Sequence, residues 1–366
     1  MNILGIETSC DETAAAVVRD GREVLANVVY TQIPLHVPYG GVVPEIASRA
    51  HVEKISEVVR TALEAFAAAA PGERLDAVAV TYGPGLSPAL IVGLNAAKGL
   101  AKSLGVPLVA INHIEAHLHT PFLYDRGEEP AAPDPVACGP SLGLAISGGH
   151  TNWIDIAEYG RYETIGQTLD DAAGEAFDKA AKLLELGYPG GPKVDRIARE
   201  WRSSRDPGRL AAETIPFPKG RPREGVSALA GLPADMCVSF SGLKTALLRY
   251  VQQQGGAAAL AAAGEVPRVV ASYQEAIVQA VADRTAHALR RRGRRTLIVG
   301  GGVSLNSRLR AVLAEVCERE GARLLMAKPK YCGDTGAMIA ALAFYRRNLT
   351  GEAAMRLDVS PSLEVG

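Results

Sequence analysis

The sequence predicts an α/β protein of two lobes, and two observations carry that expectation. Short β-branched runs alternate with longer Ala/Leu/Glu/Lys/Arg segments, the pattern of strands covered by helices. The same opening also occurs twice, as strand, polar turn and strand, at residues 3–18 and again at 142–156. In order, residues 2–7, 14–19 and 23–31 read as strands and 45–69 as a helix. Then come a strand at 77–82, a helix at 89–103, and a strand at 107–112 that enters a helical stretch at 113–119. Residues 124–140 hold Asp125, Arg126, Glu128, Glu129 and four prolines, the composition of an exposed connector. The second series has strands at 141–147 and 152–157, helices near 171–186 and 266–292, a strand at 295–299, and helices at 306–320 and 336–347. The expected organisation is a first lobe at 1–122, a Pro-rich connector at 123–140, and a second lobe at 141–366. A Pro/Gly-rich insertion is placed at 187–240, and the last helix is expected to pack back on the first lobe.

Two βββαβα halves hinged around a nucleotide in a central cleft define the actin, hexokinase and acetate-kinase (ASKHA) class, in which each half offers a hairpin turn to the phosphates. Length and composition agree with it. A chain of 366 residues with 48% hydrophobic and 22% charged residues buries a sizeable core and is neither fibrous nor disordered. Lys and Arg number 39 against 40 Asp and Glu, so a polyanion must be met by a local patch rather than by net charge. Five cysteines without CxxC pairing argue against a disulfide framework and for a reducing compartment. With no signal-like start and no uncharged run of about 18–20 apolar residues, the expectation is a cytoplasmic protein off the membrane.

Several short patterns carry chemistry. In Ser147-Gly148-Gly149-His150-Thr151 the paired glycines suit a main-chain N–H nest for phosphate or carboxylate, or a tight turn needing positive φ. Gly300-Gly301-Gly302 follows an apolar strand and leads to Asn306 and a helix, which suits a nucleotide cradle or a plain N-cap. Tyr188-Pro189-Gly190-Gly191-Pro192, with Asp195 beyond it, is a third glycine turn. His113 and His117 stand at i, i+4, which puts both imidazoles on one face of a helix, and their H-x-E-x-H order lacks the carboxylate position of a zinc protease. Asp334 precedes an apolar helix, as a third ligand from afar or an N-cap. Glu7, Asp11 and Glu12 sit in the first turn, where carboxylates bind metal, act as bases or stay solvated. Arg290, Arg291, Arg292, Arg294 and Arg295 form one basic run and Lys219, Arg221 and Arg223 another, each a solvated helix end or a nucleic-acid contact.

Taken together, Ile6-Glu7-Thr8-Ser9-Cys10-Asp11-Glu12-Thr13, Tyr39-Gly40-Gly41-Val42-Val43-Pro44-Glu45, Gly83-Pro84-Gly85-Leu86, His113-Ile114-Glu115-Ala116-His117, the Ser147–Thr151 turn, residues 170–179, Phe240-Ser241-Gly242-Leu243-Lys244-Thr245 and residues 301–306 closely resemble the bacterial tRNA N6-adenosine threonylcarbamoyltransferase family, once labelled O-sialoglycoprotein endopeptidases. The resemblance runs from residue 2 to about 345. It implies transfer of a threonylcarbamoyl group from threonylcarbamoyl-AMP to N6 of the adenosine beside the anticodon, in tRNAs reading codons that begin with A, with release of AMP. It places one divalent metal on His113, His117 and Asp334, usually iron(II), and the donor set also suits zinc. It places substrate on Ala145, Ile146, Ser147, Gly148, Gly149, Asp178, Gly191, Asp195 and Asn306. The implied partners are tRNA, a shorter paralogous actin-like subunit, a small P-loop ATPase and a separate synthase that makes the adenylate. Asp11 or Glu12 is the expected base for the amine proton. Where the family usually has Asn after the metal Asp, this chain has Thr335. A small-molecule kinase of the same fold and a metalloprotease are the alternative readings.

Overall fold

The structure is a computed structural model that describes residues 1–222, 231–346 and 350–366. Eleven strands form two sheets among the described residues. The first sheet contains β1 (Asn2–Glu7), β2 (Glu12–Arg19), β3 (Glu23–Thr31), β4 (Ala77–Gly83), β5 (Leu108–Asn112) and β6 (Tyr124–Asp125), in the order β5-β4-β1-β2-β3-β6. The second contains β7 (Ser141–Ile146), β8 (Thr151–Glu158), β9 (Arg161–Gln167), β10 (Thr296–Gly300) and β11 (Arg323–Met326), in the order β11-β10-β7-β8-β9. The five strands of the second sheet repeat the order of the first five strands of the first, β6 having no counterpart. In both, an antiparallel hairpin (β1 with β2, β7 with β8) is flanked by a parallel neighbour, β4 on β1 and β10 on β7. This doubling is the actin/hexokinase/acetate-kinase-like α/β fold that the repeated opening predicts.

The chain divides into two compact units: Met1–Gly139 with Ala157–Tyr162 and Leu325–Gly366, and Pro140–Ile156 with Glu163–Leu324. Residues 325–366 therefore group with the first unit, whereas the sequence division assigned everything after 141 to the second lobe and let only its last helix return. The connector is not free either. Arg22 Nη2 donates to the Ala132 carbonyl at 2.6 Å, Tyr331 Oη to Asp125 at 2.7 Å and Tyr345 Oη to Asp134 at 3.0 Å, so the Pro-rich stretch is strapped to the first unit.

In the first unit β1 is buried on both faces, which explains its unbroken apolar run. Leu4 and Ile6 face helix Pro44–Ala69, whose buried Ala47, Ala50, Ile55, Val58, Ala62 and Phe66 recur at helical spacing. Ile3 faces the opposite layer, helix Gly336–Tyr345, which is apolar on nearly all sides because it is enclosed. Two glycines set how close that helix comes. A Cβ on Gly5 would lie 2.1 Å from the Gly336 carbonyl oxygen, and one on Gly336 would lie 2.5 Å from Ala16 N and Gly5 O. This approach places Asp334, two residues before the helix, beside the end of β1. Gly336→Ala is expected to destabilise the protein by at least the ~1–3 kcal/mol of an overpacked core, read as a lowered denaturant midpoint at unchanged slope.

In the second unit helix Val266–Arg292 packs against helices Gly190–Ser203 and Ser307–Glu320, and the buried Trp153 Nε1 donates to Thr285 Oγ1 at 2.9 Å. The Pro/Gly-rich insertion placed at 187–240 contains helices Gly190–Ser203 and Pro207–Glu213. Helices Ser241–Gln253 and Ala257–Ala262 and strands β9 and β11 were also not expected. Arg223 of the second basic run and Arg347 at the end of the last expected helix lie outside the described residues.

Candidate active site

The first unit gathers its polar groups at the carboxyl ends of β1, β4 and β5. Asn112 ends β5, and its side chain accepts from Ile114 N–H at 2.9 Å and Glu115 N–H at 3.2 Å, which starts helix His113–His117. One turn sets the two imidazoles side by side, with ring centroids 4.7 Å apart and planes at 80°. Asp334 Oδ1 approaches from far along the chain to 3.2 Å from His117 Nε2 and 3.7 Å from His113 Nε2. One donor atom of each residue lies within 4.8 Å of the others. Asp334 is not the N-cap of the following helix; Thr335 holds that position and makes no side-chain cap bond. His117 is 1% exposed, and neither of its ring nitrogens has a hydrogen-bond partner. Buried polar atoms are rarely left so, and a bound cation would satisfy one of them. Two imidazoles and a carboxylate with this spacing therefore fit a divalent metal.

Behind His113 stands Glu7, wholly buried at the end of β1. Its Oε2 lies 3.1 Å from His113 Nδ1 and accepts from Thr81 Oγ1 at 2.5 Å, while Oε1 accepts from Ser9 N–H at 2.5 Å. Ser9 Oγ also lies 3.1 Å from the same ring nitrogen. Burial alone would raise the Glu7 carboxyl, but the attraction of His113 and their hydrogen bond outweigh it and hold Glu7 below its ordinary range. Burial would lower His113; Glu7 and Asp334 overcome this and push it up to about 9. Glu7 is thus placed to orient the His113 ring through Nδ1, which leaves Nε2 facing Asp334.

Asp11, in the turn between β1 and β2, and Glu12, the first residue of β2, are the expected bases, and both are half-buried. Burial pushes the Glu12 carboxyl well above its ordinary range, and the charges of Asp11 and Asp334 push it further. The same causes, with Asp11 foremost among the charges, raise the neighbouring Cys10 thiol. Carboxylates that repel one another next to two imidazoles make a locus where a cation is favourable.

The sequence-predicted substrate residues all fall in the second unit, around the carboxyl ends of β7 and β10. Ala145 is in register with Gly300. Gly301 adopts φ +99°, and a Cβ there would lie 2.3 Å from the Ile146 carbonyl oxygen, so only glycine allows the two strand ends to meet. In the turn that follows, Ser147 N–H donates to the His150 carbonyl at 2.8 Å. Gly148 and Gly149 are exposed, neither takes positive φ, and a Cβ on either would meet nothing within 4 Å. The hairpin turn is there, but the positive φ expected of this pair is not, and no close contact requires glycine at either position. Asp178 Oδ1 accepts from Gly190 N–H at 2.7 Å and Gly191 N–H at 3.3 Å, so it caps helix Gly190–Ser203. Asp195 accepts from Gln274 Nε2 and Ser307 Oγ, both at 2.8 Å, and Asn306 caps helix Ser307–Glu320 through Leu309 N–H at 3.0 Å. These three side chains hold helix starts in place around the strand ends.

Other candidates fall away. Glu115 accepts from Gly366 N–H at 3.1 Å and pairs with Arg346 at 3.4 Å, so it is engaged away from the His pair and is no protease base. In the main arginine run, Arg290 pairs with Glu320, Arg291 with Asp235, and Arg292 and Arg294 with the buried Asp155; Arg295 donates to the Glu320 carbonyl. That run is largely neutralised within the fold. Sequence reasoning missed His51, Gln32 and His36, which are buried near the Asp11–Glu12 segment; Gln32 and His36 are four apart, but nothing in the sequence joins them to His51.

Fold and site together define a protein of the actin/hexokinase class with a three-residue cluster that fits a divalent metal and with glycine-lined strand ends. The family model described as TsaD: tRNA N6-adenosine threonylcarbamoyltransferase matches residues 23–341. A protein of that name from Clostridium perfringens is 42% identical over 366 residues, covering 100% of this chain and 98% of the relative. Another from Symbiobacterium thermophilum is 46% identical over 364 residues, covering 100% and 97%. The chain belongs to the tRNA N6-adenosine threonylcarbamoyltransferase family and is a transferase. Among solved structures, HypF of T. kodakarensis superposes with a TM-score of 0.58 at 15% identity, over 94% of this chain and 47% of that one, a likeness of fold alone. No helix among the described residues is long and apolar enough to cross a membrane.

Proposed function

We propose that this chain joins the threonylcarbamoyl carbon of threonylcarbamoyl-AMP to N6 of the adenosine beside the anticodon, in tRNAs reading codons that begin with A. The new C–N bond replaces the C–O bond to the adenylate phosphate; AMP leaves and N6 gives up a proton. The observation that carries this reading is the His113, His117, Asp334 cluster, with a buried imidazole that makes no hydrogen bond, in a chain related over its full length to transferases of that name. A divalent metal held there, iron(II) in our reading with zinc as second choice, would supply Lewis-acid polarisation of the carbamoyl group.

The chain's own residues do the rest. Glu7 keeps the proton of His113 on Nδ1, leaving Nε2 as a donor atom. Main-chain N–H groups of the Ser147–Gly149 turn bind the adenylate phosphate, and the ends of β7 and β10 with Gly191 and Asn306 shape the pocket for the nucleotide. Asp178 and Asp195 act by holding those helix starts. Asp11 or Glu12 takes the amine proton; burial, with the charges of Asp11 and Asp334, raises the Glu12 carboxyl well above its ordinary range. The protein works in the cytoplasm with tRNA, a paralogous actin-like subunit, a small P-loop ATPase and a synthase for the adenylate.

The test is to supply synthetic threonylcarbamoyl-AMP and unmodified tRNA, with and without the partner proteins, and to weigh the nucleosides. Threonylcarbamoyladenosine and AMP in equal amounts support the reading; phosphoryl transfer to a small acceptor, or proteolysis without tRNA, would replace it. Gly148→Ala and Gly149→Ala are expected to change stability by no more than about 0.5 kcal/mol, since a methyl meets nothing there, while raising KM for the adenylate.

A further inference from the structure

Three buried polar side chains underlie the turn that carries Asp11 and Glu12, and nothing above uses them. His51 Nδ1 lies 2.7 Å from Thr13 Oγ1 and 3.2 Å from Gln32 Nε2. The Gln32 amide nitrogen can only donate, so Nδ1 is the acceptor and the ring proton is on Nε2, 3.0 Å from the Cys10 carbonyl oxygen. Gln32 also donates its backbone N–H to the Asp11 carbonyl at 2.9 Å. Its Oε1 accepts from His36 Nε2 at 3.3 Å, which leaves His36 Nδ1 to accept from Val43 N–H, also at 3.3 Å. Each link fixes the tautomer of the next. Burial holds His51 below the ordinary imidazole range, so the ring stays neutral and the pattern persists at working pH.

We propose that His51, seated by Gln32 and His36, is a positioning residue that locks the backbone of the Cys10–Thr13 turn, and with it the two carboxylates. The carbonyls of Cys10 and Asp11 are the held atoms, and they are adjacent, so the side chains of Asp11 and Glu12 leave a peptide segment with little freedom. The same chain of bonds ends on Val43, in the Tyr39-Gly40-Gly41-Val42-Val43 loop, which gives that otherwise unassigned motif a role as the outer anchor of the brace. The inference rests on the proposed part of Asp11 and Glu12 in proton transfer.

His51→Phe keeps the ring and removes every bond; His51→Gln restores an N–H near the Nε2 position. The phenylalanine variant is expected to lower kcat for transfer about 10-fold or more, within the ~10²-fold that a 1 Å misplacement costs, with KM for the adenylate within about 2-fold of wild type. Independently of activity, iodoacetamide labelling of Cys10, mapped by peptide mass, should accelerate several-fold in His51→Phe and return towards wild type in His51→Gln. If His51→Phe does not fold, Gln32→Leu, which leaves the ring in place, is read the same way. A lowered Tm with unchanged kcat and unchanged Cys10 labelling would overturn the proposal and leave the histidine a stability residue. Full transfer by both Asp11→Ala and Glu12→Ala would end the catalytic reading of those carboxylates, and the labelling result alone would then decide the brace.

Discussion

His117→Ala is expected to abolish metal binding and to lower kcat/KM for transfer by about 1,000-fold, the equivalent of about 4 kcal/mol of transition-state stabilisation. The imidazole makes no hydrogen bond with either nitrogen and its one ionic contact is with Asp334 of the same cluster, so its removal takes no polar contact from outside the cluster. The loss should therefore be of function far more than of structure. Far-UV circular dichroism and the denaturant slope should match wild type while equilibrium dialysis finds no tightly held metal. Asp334→Asn should behave alike, because the amide keeps the size and loses the charge that sits 3.2 Å from His117 Nε2. A purely structural cluster would give the reverse, with unfolding and no selective loss of metal.

The second large effect is at Glu7. Removing one member of a buried ion pair costs about 3–5 kcal/mol, and loss of a carboxylate behind a ligating histidine costs about 10–100-fold in metal affinity. Glu7→Gln should show both, because Glu7 and His113 are each almost fully buried. The pH dependence has a definite sign in metal-free protein. His113 is raised from about 6.5 to about 9, so its contribution is complete below about 6.5 and disappears as pH rises through about 9. Glu7 is lowered from about 4.5, so its contribution is complete above that value and disappears as pH falls through its depressed range. Stripped wild-type protein should thus gain most from the pair between about pH 4.5 and 6.5, and urea titrations should show that gain fading towards pH 9. Glu7→Gln should flatten the profile. An identical profile in the variant would mean that the pair carries no such energy.

Much of the fold was legible because its signals are local. The repeated strand-turn-strand opening led to two sheets of matching order, and the long helix at 266–292 follows from its periodicity and its closing Gly293. β11 was missed because it has four residues and is only partly buried, and β9 because RYETIGQ mixes polar groups on both faces. Of the site, the His113/His117 pair is visible as a spacing, but Asp334 is 217 positions beyond His117, and only a family resemblance joins it to them. Glu7 is quoted in the first motif, yet its work as a buttress depends on β1 and β5 ending side by side around β4. His51 and Gln32 carry no signal at all, since what matters is the two carbonyls they hold. Asp178, Asp195 and Asn306 show the opposite case. Asp178 and Asp195 were expected as substrate contacts and Asn306 as a ligand contact or a cap, and each is found capping or anchoring a helix that borders the strand ends.

The account depends most on a cation at the cluster, and anomalous scattering tests that most directly. Crystals grown with iron(II) or zinc, measured on both sides of the metal's absorption edge, should show one strong peak within bonding distance of His113 Nε2, His117 Nε2 and Asp334 Oδ1. Crystals of the His117→Ala protein should show none there. An empty cluster in wild-type crystals of protein that still modifies tRNA in the presence of chelator would contradict it.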